Sequence, residues 1–158
     1  CAGNALGATV NKSGAEIFFT APAGETNSLT ISQIGTNYVF NDAGAPLTAG
    51  AGCAAVNANT ASCPVDLVAR ISASLGDGND VALVENSVAN IQMDLNGFDG
   101  NDTLTGGENT NDNLSGDNTA AGADTLRGRG GNDRFFPGPG ADIDGDRRRP
   151  SRRRSPAR

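Results

Sequence analysis

The residues best equipped for chemistry in this chain are its aspartates, and their spacing is regular. Asp80, Asp102, Asp124, Asp133 and Asp142 each follow a Gly-Asn or Gly-Ala pair, in GDGND, DGND, GAD, GGND and GPGAD, with a looser TND at Asp112. From Asp102 onward the steps are 10, 12, 9 and 9 residues. Two residues after four of these aspartates stands an apolar side chain: Leu104, Leu114, Leu126 and Phe135. Asp142 departs from the rule, because Asp144 follows it. Acids that recur with a scaffold read as ligands in series. A glycosidase instead needs one pair of acids, held about 5–9 Å apart around a sugar. Hard oxygens in series suit calcium, which takes about six to eight of them from carboxylates and backbone carbonyls.

Other chemistries fail on composition or spacing. The chain has no His, which excludes a histidine base or metal ligand. Its three cysteines, Cys1, Cys53 and Cys63, form no zinc-type C-x₂₋₄-C pair. An EF-hand loop begun at Asp99 would place Leu104 where glycine belongs and Thr110 where glutamate belongs. Ser32, Ser62 and Ser72 have no plausible base, and Lys12, the single lysine, reads as a solvated charge. The chain is therefore not expected to be an enzyme. Cys53 and Cys63 lie ten apart around the polar stretch AAVNANTAS. A local disulfide there would place the chain in an oxidising compartment, and two buried thiols are the alternative. NKS (11–13), NDT (101–103) and NLS (113–115) are formal glycosylation sequons, two of them inside the aspartate series.

The elements that must position the aspartates follow from composition. The 158 residues carry a net charge of −6, divided unevenly. Residues 1–146 hold all 18 acids and five bases, a net −13, whereas 147–158 hold seven arginines and no acid. Glycine is 22 of 158 residues, about twice the usual share. With six Phe, one Tyr and no Trp, a large aromatic core is excluded. No apolar stretch approaches the ~20 residues of a membrane span. Residues 1–71 read as a region of short strands: Glu16–Thr20, Leu29–Ile34, Tyr38–Phe40 and Pro64–Ile71, separated by AGETN, IGTN and NDAGAP. Residues 41–52 look too broken by Gly and Pro for regular structure, and nothing in this zone repeats at the helical period. Residues 72–146 carry fourteen glycines among Asn, Asp and single apolar residues. The segment 147–158 reads as Arg/Ser/Pro disorder, either beyond a truncation or out-of-frame junction or folded back on the acidic zone. Such an arginine run attracts phosphate, but the acidic zone beside it offers no stacking platform, so no nucleic-acid role is expected of the folded part. A chain that begins at Cys1 has the look of a fragment or a processed product.

The aspartate series fits the nonapeptide G-G-x-G-x-D-x-U-x, where U is a large apolar residue. GFDGNDTLT (97–105), GGENTNDNLS (106–115), GAD-TLR (122–127), GRGGNDRFF (128–136) and PGPGADIDG (137–145) carry it, with LGDGNDVAL (75–83) as an isolated earlier match. On these residues the chain resembles the haemolysin-type (RTX) calcium-binding repeats of secreted bacterial proteins. The resemblance implies an all-β fold in which the short-stranded region leads into a parallel β-roll, a calcium-stabilised solenoid whose half-turns alternate between two faces. It implies Ca²⁺ in the turns, bridged by aspartates of repeats n and n+2: Asp102 with Asp124, Asp112 with Asp133, and Asp124 with Asp142. Asp80 would be an outlying ligand, and the carbonyls of Gly100, Asn109, Gly122, Gly131 and Gly140 would complete the sets. Asp124 alone then stands in register with two partners. The repeats are imperfect. Residues 109–111 add one residue, 117–121 add three, and Pro137 replaces a glycine.

The function implied is calcium binding that drives folding of an extracellular segment. Alternatives are a structural or adhesive repeat of a cell-surface protein, or the non-catalytic part of a secreted protease, lipase or toxin. The expected partners are calcium ions and a cell-surface or secreted protein.

Overall fold

The computed structural model describes residues 7–88, 90–108, 110–116 and 122–146, without the side chains of Asp144 and Asp146. Among the described residues there is no helix, and fifteen strands form two mixed sheets. The first seven strands are β1 (Ala8–Ser13), β2 (Glu16–Thr20), β3 (Ser28–Ile34), β4 (Asn37–Asp42), β5 (Leu47–Ala49), β6 (Ala54–Asn57) and β7 (Thr60–Pro64). The remaining eight are β8 (Arg70–Ser74), β9 (Val81–Val84), β10 (Gln92–Asn96), β11 (Thr103–Thr105), β12 (Asn113–Ser115), β13 (Thr125–Arg129), β14 (Arg134–Phe136) and β15 (Ile143–Asp146).

From β8 onward each strand crosses to the other sheet, and strands two apart pair in parallel. One sheet has the order β14-β12-β10-β8-β2-β1-β5 and the other β15-β13-β11-β9-β3-β4-β7-β6. This alternation is consistent with a β-solenoid. A three-residue strand can bury one side chain only, so the apolar residues must stack from turn to turn. They do so in columns. Phe19, Ala73, Leu95, Leu114 and Phe135 are successive partners across one sheet. Leu29, Ala82, Leu104 and Leu126 are successive partners across the other. Leu104, Leu114 and Leu126 are fully buried, and Phe135 packs against the core from a partly exposed position. The second column ends where Asp144 takes the place of the apolar partner of Leu126.

At the N-terminal end the same sheets turn antiparallel. β1 pairs with β2, β3 with β4, β4 with β7, and β6 with β7. β2 and β3 then receive β8 and β9 in parallel, so both sheets run unbroken from the hairpins into the repeats. Cys53 and Cys63 form a disulfide with a Cα–Cα separation of 4.3 Å, joining the start of β6 to β7 as their spacing suggests. Cys1 and the arginine-rich segment lie outside the described residues.

Two expectations need correction. Pro64–Ile71 is not one strand: β7 ends at Pro64, β8 begins at Arg70, and Leu67 turns the chain at φ 60° with its side chain 85% exposed. Its apolar residues, Val65 and Val68, reach the core from a turn. Residues 41–52 contain a strand after all, since β5 borrows its order from parallel pairing with β1.

Candidate functional site

The alternation of strands sorts the turns onto two edges of the stack. Asp80, Asp102, Asp124 and Asp142 close turns on the first edge, and Asp112 and Asp133 close turns on the second. On the first edge the Asp80 N–H donates to Asp102 Oδ1 at 2.8 Å, the Asp102 N–H to Asp124 Oδ1 at 2.8 Å, and the Asp124 N–H to Asp142 Oδ1 at 3.1 Å. On the second, the Asp112 N–H donates to Asp133 Oδ1 at 3.0 Å, and Asp112 Oδ1 accepts from the Met93 N–H at 3.1 Å. All three aspartate pairs implied by the resemblance are thus neighbours. So are Asp80 and Asp102, which gives Asp102 two aspartate partners as well and corrects the singular place assigned to Asp124.

Four of these carboxylates are buried, and Asp133 and Asp142 are half-buried. Asp80, Asp102, Asp112 and Asp124 are each at most 1% exposed. Burial pushes the Asp80 carboxyl up to about 6, against the hydrogen bond it accepts from Asn27, with further raising by Asp42, Asp77 and Glu25. Burial also raises Asp112, opposed by hydrogen bonds that include the Gly107 and Met93 N–H groups. A buried carboxylate in this state needs a cation or a proton. Asp80 Oδ2 is buried with no hydrogen-bond partner.

The glycines supply room of two kinds. A Cβ on Gly97, Gly116 or Gly128 would collide with Oδ2 of Asp102, Asp124 or Asp133, respectively, so the first glycine of a repeat seats the carboxylate. Gly100, Gly131 and Gly140 have φ of 141°, 122° and 158°. A Cβ there would collide with the carbonyl oxygen of Gly78, Thr110 or Gly122 in the preceding turn on that edge. Turn carbonyls therefore sit at each stacking contact, and Gly122 bridges to Gly140 in parallel. Asn109 lies outside the described residues.

Among the described residues, no three His, Cys, Asp or Glu side chains gather around one point. Any ion must draw on backbone carbonyls beside one or two carboxylates, an all-oxygen set of the kind calcium takes. The residues present fit that ion.

Several contributors escaped the aspartate pattern. Asn79, Asn101 and Asn111 accept the N–H groups of Asn101, Ala123 and Asn132 at 2.7–2.9 Å, forming an exposed second ladder. The asparagine directly before Asp80, Asp102 and Asp112 was the available signal. Arg129, at φ 68°, donates to the Val84 carbonyl at 2.6 Å and to Asn86 Oδ1 at 3.0 Å, tying the second-edge turns together where 85–91 lacks the motif. Nothing in its sequence context marked it.

Residues 95–112 and 109–144 match the model of the RTX calcium-binding nonapeptide repeat, four copies. An RTX calcium-binding repeat is therefore present over residues 95–144, about a third of the chain, and Ca²⁺ is its ion. Such repeats are structural and non-catalytic, in keeping with acids that recur with the scaffold. No curated protein and no solved structure gives a significant match to the chain. No helix of the described residues is long and apolar enough to cross a membrane.

Proposed function

We propose that residues 72–146 form a calcium-stabilised β-roll whose folding is driven by the ion, and that 1–71 form the short-stranded region on which it is built. In this reading Asp102, Asp112, Asp124, Asp133 and Asp142, with carbonyls of Gly100, Gly122, Gly131 and Gly140, hold the ions, and Asp80 extends the series. The observation that carries it is the ladder of buried aspartates: each turn sets a carboxylate against the backbone of its neighbour. Without a cation the charges repel one another. With one, the free energy of binding becomes free energy of folding.

The disulfide supports a setting outside a reducing cytosol. The module would then remain unfolded where calcium is scarce and order where it is about millimolar, a range typical of extracellular calcium modules. Circular dichroism on the full chain tests this. Calcium is expected to convert a largely disordered spectrum into a β spectrum with saturation near ~1 mM, and magnesium to leave it unchanged, because Mg²⁺ holds its waters and wants a smaller octahedral cage. A spectrum indifferent to calcium would overturn the reading.

A further inference from the structure

The first-edge ladder continues past Asp80 into a turn that carries no nonapeptide. The Asn27 N–H donates to Asp80 Oδ1 at 2.7 Å, as the Asp80 N–H does to Asp102, so Asn27 occupies the aspartate position of the turn between β2 and β3. The Gly24 N–H donates to Asp77 Oδ1 at 2.6 Å, stacking that turn directly on residues 75–80.

Three side-chain oxygens at this corner are buried without a hydrogen-bond donor: Glu25 Oε1, Asn27 Oδ1 and Asp80 Oδ2. Asn27 and Asp80 are each only 1% exposed. The groups that carry these atoms are neighbours, since Asn27 Nδ2 lies 3.5 Å from Glu25 Oε2 and the Asn27 N–H touches the Asp80 carboxylate. Asn27 cannot turn its amide to help, because Nδ2 already donates to Asp42 Oδ2 at 2.7 Å. Beside them Gly78 lets the backbone of the two turns meet closely. A Cβ there would lie 2.6 Å from the Glu25 carbonyl oxygen and 3.4 Å from both Asp80 Oδ1 and Thr26 Oγ1. The ion pairs of the described residues join Lys12 to Asp66, Arg70 to Glu16 and Asp94, and Arg129 to Glu108, so no side-chain cation serves this corner.

We infer that the stacked turns 24–27 and 77–80 form a further site for a hard divalent cation, held by Glu25, Asn27 and Asp80. It lies outside the repeat found at 95–144. Carboxylate, amide and carbonyl oxygens with no nitrogen or sulfur donor select a cation of the calcium class. Glu25 is only partly buried, which leaves the ion an approach from solvent. A cation here would lock the antiparallel end of the molecule to the first turn of the stack.

Calorimetric titration of the full, disulfide-bonded chain with calcium chloride tests the site. Glu25→Gln keeps the shape of the side chain and should bind one calcium fewer than the parent, with the other sites unchanged. Asn27→Asp adds a ligand charge and should tighten one site by about tenfold. The variant D133N, confined to the second edge, should lose calcium in the repeats yet keep the corner equivalent, which separates the two assignments. Full parental stoichiometry in E25Q, or an N27D chain that binds calcium no more tightly, would overturn the corner site and leave the repeats standing. A parent chain that binds no calcium would overturn both.

Discussion

A carboxylate that lies between two turns does more than one at the end of a row. Asp102 and Asp124 each accept a neighbour's N–H and present their own to the next aspartate, whereas Asp142 ends the described ladder. Replacing either of the first two by Asn should raise the calcium midpoint by about 10- to 100-fold, the value of a charge-assisted contact at ~1.5–3 kcal/mol. D142N should shift it less. Equal shifts along the row would mean that position in the stack is irrelevant. Asp80 makes a separate forecast for the calcium-free chain. Its folded value, about 6, lies above the ordinary 3.8, so the folded state binds the proton more tightly than the unfolded state. Stability contributed by that proton is absent at pH 7, grows as pH falls through 6, and is complete below about 4. In chelator, acidification from pH 7 to pH 5 should therefore recover part of the β signal in circular dichroism, and D80N should weaken that pH dependence. A β signal that falls steadily on acidification would contradict the burial of this carboxyl.

Elements in this fold are too short to be stable individually, and their order comes from stacking. Leu114 sits inside its column with Leu95 and Phe135 as partners, fully buried, while Phe135 closes the column half-covered. Truncating Leu114 to Ala should cost about 2–5 kcal/mol in urea unfolding at saturating calcium, the range for a buried leucine. F135A should cost less despite the larger side chain, and the reverse order would place Phe135 in the core. This dependence on neighbours also decides what could be read from the sequence. EIFFT is β-branched and aromatic at its centre and is β2 to the residue, and LTISQI and YVF lie within β3 and β4. ATVNKS, the sequence of β1, has Val10 as its one large apolar residue and owes its order to β2 on one side and β5 on the other. PVDLVARI has the composition of a strand but contains a turn at Leu67. The aspartate positions were legible because period, glycine and apolar residue repeat together. Asn27 and Glu25 were not, because the turn that holds them resembles a repeat only in space.

At the scale of the molecule, charge opposes the fold and the antiparallel end restrains it. Residues 1–146 carry 18 acids against five bases, and the strand stacking brings many of the acids onto two edges. Simple screening should relieve part of that repulsion. Raising NaCl from 0.1 to 1 M shortens the Debye length from about 10 Å to about 3 Å, so the calcium-free chain should gain part of its β signal in the stronger salt. Screening does not provide ligands, however, and buried carboxylates such as Asp112 are largely shielded from the ionic atmosphere. Calcium at ~1 mM should therefore stabilise the chain well beyond 1 M NaCl, with a gain that follows ligand mass action. Circular dichroism across both titrations distinguishes the two effects. If concentrated salt reproduced the whole calcium effect, the aspartates would be acting as a diffuse negative charge, and the turns would not be coordinating an ion.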